Sequence, residues 1–430
     1  MRNFEEFKEE LLRRKDRRVA KDRRKRRVIV SVCLVLCVSI VAGLFLWPIT
    51  QVQALDLMRN IQPQWVSGKE PDETFRQAQL SFALELYRAC RRADGETVLV
   101  SPLSVMLALS MTANGAGGET LAQMEAVLGL PIGELNAYLK TYVNQLPSGW
   151  RNKLHIANSI WFREGVDVNR DFLQTNANYY GADAYATPMD AQTLKDINTW
   201  VDENTDGMID KIMSELPPNA LTCLVNAIYF DAGWAGKKPK DTKINFYLGD
   251  GTYQKLPALD TTAQYTLSMD NAIGFMKDYV GGKYRFVALL PLGCTLDAFL
   301  DEITWEELSL VLESAQESTV SVKFPEFSYD YSKDLTDVLK QMGITDAFDG
   351  GLANFSDMSD VSTYITDVFH KTHIGVDTEG TKAAAATSVT NSNKGGVDYD
   401  GIELNRPFLY MIVDSEHNLP LFIGTLDRVI

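Results

Sequence analysis

The chain has four histidines (His155, His370, His373 and His417) and five cysteines, so acid–base, nucleophilic or metal chemistry has few places to reside. His370 and His373 stand three apart in TYITDVFHKTHIGVD, whose alternation reads as a strand. A spacing of three on a strand puts the two rings on opposite faces, which argues against a shared metal. Cys33 and Cys37 fall in an uncharged run. Cys90, Cys223 and Cys294 are odd in number and lack C-x-x-C spacing, so neither a disulfide framework nor a zinc site is indicated. G-x-S-x-G, H-E-x-x-H and a phosphate-cradling glycine loop are absent. A Ser/His/Asp triad is brought together by folding and leaves no local trace. No motif points to an enzyme, and neither a metal nor a cofactor is expected.

One segment has a composition unusual for a surface loop: EGTKAAAATSVTNSNKGG, Glu379 to Gly396. Four consecutive alanines favour a helix, yet β-branched and small residues flank them. Read at period two, one face is Thr381, Ala383, Ala385, Thr387 and Val389, all small or apolar. The other is Lys382, Ala384, Ala386, Ser388 and Thr390. Such a segment is equipped to become a strand with one face buried. Its end, Asn391 to Gly396, has the small and polar composition that proteases nick.

The elements around it are readable. Ser101-Pro102 opens a helix that Asn114-Gly115 stops, a second helix runs from about Glu119 to Leu128, and Ile197 to Leu216 contains a third. Strand patterns appear at Leu221–Phe230, Arg285–Leu290, Val320–Lys323 and Phe327–Tyr331, with a helix from about Lys333 to Met342 that Gly343 ends. PFLYMIVD-SEHN-LPLFIGTLD reads as a hairpin, and its continuous apolar strands imply a sheet buried on both faces.

Charge divides the chain further. Residues 1–27 hold 13 Lys/Arg against 6 Asp/Glu, a net of +7; the remainder, 29 against 51, carries −22 of the total −15. Val28 to Trp47 contains no charge. As a helix it is about 30 Å long, the thickness of a bilayer core. Basic residues on its N-terminal side keep residues 1–27 in the cytoplasm as a tail, make 28–47 a membrane helix and export the rest. The other reading is a secreted protein released near Ala54, at Val52-Gln53-Ala54. Residues 48–72 are polar and aperiodic and read as an extracellular stalk before a domain at 73–430. An acidic domain offers nothing to nucleic acid.

Six ordered stretches resemble the serpin family: Val100–Thr120, Ile197–Ile212, Leu224–Trp234, Phe324–Phe348, Val376–Thr387 and Ile402–Ile412. The similarity runs from about Glu73 to Val429 and is read as that of a membrane-anchored, bacterial member. It implies an α+β fold with a large central sheet, further sheets, about eight to nine helices and an exposed reactive-centre loop. It also implies a monomer that inhibits a serine or cysteine protease. The protease cuts the loop and forms an acyl-enzyme; the hinge (Glu379, Gly380, Thr381, Lys382, Ala383, Ala384, Ala385, Ala386, Thr387) then inserts as a new central strand and carries the trapped enzyme across the molecule. By the family's count Gly380 is fifteenth before the cut, which makes Lys394–Gly395 the reactive bond and a trypsin-like or basic-preferring subtilisin-like protease the target.

Lys382 and Thr378 depart from the glutamates that inhibitory members usually carry. Lys382 falls on the solvated face, and Thr378 precedes the inserted part. By resemblance, Ser101, Ser104, Asn198 and His370 form a polar cluster beneath the opening of the sheet, and Trp234 is the aromatic at its top. His370 is thus expected to be a hydrogen-bonded core histidine. The competing expectation is a non-inhibitory member serving as a binding or chaperone module.

Overall fold

The computed structural model describes residues 52–95, 97–149, 152–217, 220–382 and 401–428. The basic tail, the uncharged run 28–47 and loop residues Ala383, Ala384, Ala385, Ala386, Thr387, Lys394 and Gly395 lie outside them. Nine α-helices are present among the described residues: α1 (Glu73–Asp94), α2 (Pro102–Ala113), α3 (Gly118–Leu128), α4 (Ile132–Gln145), α5 (Arg170–Tyr180), α6 (Ala191–Asn204), α7 (Leu296–Glu302), α8 (Trp305–Glu313) and α9 (Thr336–Met342). Every residue of α2 is buried. A helix apolar all round belongs in a protein's centre, and α2 touches strands of both sheets described below.

Seven strands form one sheet, in the order β1 (Leu55–Asp56), β4 (Asp183–Thr187), β3 (Asn152–Arg163), β5 (Thr222–Gly233), β13 (Gly380–Lys382), β12 (Asp367–Val376) and β11 (Phe327–Asp334). Nine form the second. Its path is β14 (Ile402–Glu403), β10 (Gln316–Pro325), β7 (Tyr253–Ser268), β8 (Ala272–Asp278), β9 (Tyr284–Pro291), β15 (Phe408–Asp414), β16 (Pro420–Leu426) and β2 (Leu99–Val100), with β6 (Lys240–Tyr247) beside β7. All residues of β15 and β16 are buried, as their uninterrupted apolar runs require. Helices and sheets together make an α+β fold.

Two expectations need correcting. The third helix begins at Ala191, where Asp190 and Thr193 form a capping box, and ends at Asn204; the chain from Thr205 to Leu216 is irregular, with Asp206 and Gly207 both at positive φ. Residues 52–72, expected as a stalk, lie against the body. Leu55 and Asp56 pair with β4 at the sheet edge, the Gln53 amide donates to Asp196, and Ile61 is buried. Lys69 pairs with Glu134 at 2.5 Å. A segment without hydrophobic period still finds order when its backbone groups complete a sheet edge.

Candidate functional site

The site is the seam between β5 and β12. At its lower end the two strands pair directly and in parallel, Asp367–Lys371 against Cys223–Ala227. Above that they part, and β13 enters antiparallel to both: Gly380 and Thr381 face Gly233 and Ala232 of β5, while Thr381 and Lys382 face Val376 and Gly375 of β12. Between the two zones, Ile228–Asp231 and Thr372–Ile374 have no strand paired to them across the seam among the described residues. The described start of the hinge thus occupies the top of the seam, above a stretch where the two strands are not paired to each other.

Local chemistry explains why the chain turns here. The Asp377 carboxylate accepts from the amides of Glu379 (2.7 Å) and Gly380 (3.1 Å), and the Asp377 amide donates to Gly380 O at 3.0 Å. This closes a tight reversal from β12 into β13. Only glycine fits at 380, because a Cβ would lie 2.1 Å from Ala232 O. Lys238 forms an ion pair with Glu379, but both are more than half exposed, so the pair contributes little.

Trp234, at the end of β5, covers the opening. Its Nε1 donates to Asp377 O at 2.8 Å, and its amide donates to Glu379 O at 3.1 Å. Its ring stacks on Tyr279 (centroids 4.8 Å apart, 9° between planes) and meets the rings of Phe286 and Phe324 edge-on. The Tyr279 hydroxyl lies 2.6 Å from Thr381 Oγ1. Thr381 is 1% exposed, so its side chain points into the protein.

A polar cluster sits under the directly paired part of the seam. His370 Nε2 accepts from the Ser101 amide at 3.1 Å, which puts the ring proton on Nδ1, 3.2 Å from Asn226 Oδ1. Asn226 Oδ1 also accepts from Ser104 Oγ, and its Nδ2 donates to Ser104 O (2.8 Å) and Asn158 Oδ1 (2.5 Å). Asn226 therefore uses both donors and both acceptor positions. Burial pushes the His370 imidazole down to about 3, so it is neutral at neutral pH. Its partners are hydrogen-bonding groups of the core, with no nucleophile among them.

Ser101, Ser104 and His370 are thus brought together, and Tyr279 links Trp234 to Thr381. Asn198 is not with them. It lies on α6, where its Oδ1 accepts from the Ile212 and Met213 amides and its Nδ2 donates to Met213 O, bracing the chain that follows the helix. The asparagines of the cluster are Asn226 and Asn158. Asn226 had left a signal, as the single polar residue in the apolar run LVNAIYF. Tyr279 had left none, because only folding brings it to the hinge.

Comparison with known proteins agrees with this architecture. The family model described as Serpin (serine protease inhibitor) matches residues 77–428. Serpin B6 of Pongo abelii is 30% identical over 373 residues, covering 82% of this chain and 98% of its own. An uncharacterized serpin-like protein of Thermococcus kodakarensis is 29% identical over 361 residues, 80% of this chain and 84% of its own. The crystal structure of tengpin, a thermophilic serpin, in its native state superposes with a TM-score of 0.81 at 41% identity, covering 88% of this chain and all of that one.

Proposed function

Because this chain belongs to the serpin family, we propose that it is an extracellular, membrane-tethered inhibitor of serine endopeptidases that is consumed as it acts. The observation that carries the reading is the seating of Gly380–Lys382 between β5 and β12, followed in sequence by Ala383 to Thr387, residues small enough to follow into a sheet. A target serine attacks the Lys394 carbonyl, the Gly395 amine leaves, and an acyl-enzyme forms. The released strand end then has an opening already started for it. By the register of β13, Ala383 to Ala385 add ladder hydrogen bonds to strand positions that lack them, and each later residue replaces one β5–β12 pairing with two, so insertion is downhill and competes with hydrolysis of the ester.

Two further features support the finer parts of the reading. Lys394 suits a protease whose specificity pocket carries a carboxylate, trypsin-like or subtilisin-like. The uncharged run 28–47 behind a tail of net +7 supports a single span with a cytoplasmic N-terminus; secretion after cleavage near Ala54 places the same domain outside. The small inward residues disfavour the binding-module alternative, which needs no strand able to insert.

Incubation of the full chain with trypsin tests the proposal. A complex that survives denaturant, together with a released C-terminal fragment whose mass begins at Gly395, is the expected result. Cleaved chain without complex refutes inhibition, and a fragment beginning elsewhere refutes the bond.

A further inference from the structure

Tyr279 is fully buried and held on two sides, stacked on Trp234 and edge-on to Phe230 with centroids 5.2 Å apart. Its hydroxyl is the part that reaches the hinge, and its partner there is Thr381 Oγ1 at 2.6 Å. Burial raises the phenol above the usual tyrosine range, so the hydroxyl keeps its proton at every pH where a protease works. The inserted residues are also held by their backbone ladder to β5 and β12, and the other side-chain ties described above hold the turn. Lys238 pairs with Glu379, and Trp234 bonds to the carbonyls of Asp377 and Glu379.

We propose that the Tyr279 hydroxyl is the positioning group that seats Thr381 in the sheet before the loop is cut, so that insertion begins from a register already set. This deepens the trapping reading above and rests on it. If the hydroxyl is removed, Thr381 Oγ1 is left buried at an apolar wall, and an unpaired buried hydroxyl is costly. The hinge then favours leaving the sheet. After cleavage it must find the Thr381 slot again before Ala383 follows, and the acyl-enzyme gains that time to hydrolyse. Phenylalanine at 279 keeps the stack on Trp234 and the contact with Phe230, so the substitution removes the hydrogen bond and leaves the packing.

The test compares the full wild-type chain with Tyr279→Phe, Thr381→Val, Thr381→Ser and the Tyr279→Phe/Thr381→Val double variant, each mixed with trypsin. Tyr279→Phe is expected to raise the ratio of cleaved chain to covalent complex about fivefold, with the loop-cleavage rate unchanged. Thr381→Ser, which keeps the hydroxyl, should behave as wild type, and the double variant should be no worse than Thr381→Val. A wild-type ratio for Tyr279→Phe, or a double variant whose loss is the product of the two singles, overturns the assignment. If the wild-type chain itself forms no complex, the trapping reading is what fails. The seating role is then read from hydrogen exchange of the Gly380–Lys382 amides, expected to quicken in Tyr279→Phe; unchanged exchange overturns it.

Discussion

Thr381→Arg tests the inward face of the hinge. Thr381 is 1% exposed, paired to Ala232 on one side and Val376 on the other, with its side chain against Tyr279. An arginine there buries an ion without a partner, at an effective cost of several kcal/mol. Overpacking adds about 1–3 kcal/mol. Together these give about 4–6 kcal/mol against seating the first inserted residue. At about 1.4 kcal/mol per factor of ten, seating slows about a thousandfold or more, and hydrolysis of the acyl-enzyme wins. Incubated with trypsin and run on a denaturing gel, the variant should give cleaved chain and no covalent complex, while the loop is cut at the wild-type rate because Lys394 is untouched. Lys382→Glu, on the alternate position of the strand, should keep complex yield within about twofold of wild type. Complex formation by Thr381→Arg at wild-type yield would refute the claim that trapping requires this residue inside the sheet.

Gly380→Ala puts a Cβ 2.1 Å from Ala232 O and should displace β13, lowering complex yield about tenfold, measured on the same gels. Continued residue for residue, the register of β13 brings Thr387 between Asn226 and His370. Thr387→Val should therefore destabilise the cleaved form by about 1 kcal/mol and leave the uncleaved form alone, as calorimetry of both forms will show. Asp367 is 7% exposed and its Oδ2 has no partner among the described residues. Burial, with the charge of Asp334, raises its carboxyl from 3.8 to about 6. The folded chain binds a proton there that the unfolded chain does not, so stability is lowest above pH 6, rises as pH falls toward 3.8 and then levels. Asp367→Asn should remove up to about 2 kcal/mol of that rise, seen as flatter urea midpoints between pH 7 and pH 5. Parallel profiles for the two proteins would count against it.

The C-terminal hairpin was legible because β15 and β16 are apolar on both faces and flank a polar turn, and α2 because Ser101-Pro102 and Asn114-Gly115 mark its ends. The alternating small residues suggested a segment able to become a strand, but it was the resemblance to the family that made it a hinge, and of that hinge the described residues include Gly380–Lys382, seated between β5 and β12. The polar cluster was only half readable. Ser101, Ser104 and His370 stood in recognisable motifs, but Asn198 was assigned to the cluster from its place in a motif, and its side chain caps the chain after α6 instead. Asn226 belongs there by register, since it is the Cα partner of both Asn158 and His370. Pairing of that kind is a property of the folded sheet. The same holds for residues 52–72, whose order comes from partners on β4, α4 and α6.

Hydrogen exchange on the chain before and after cleavage at Lys394 tests the central claim most directly, because insertion is a change in backbone pairing. The account predicts that amides from Ala383 to Val389 become strongly protected in the cleaved protein, together with those of Ile228–Asp231 and Thr372–Ile374 across the seam. Rapid exchange of the hinge amides in the cleaved protein, with the seam unchanged, would contradict it.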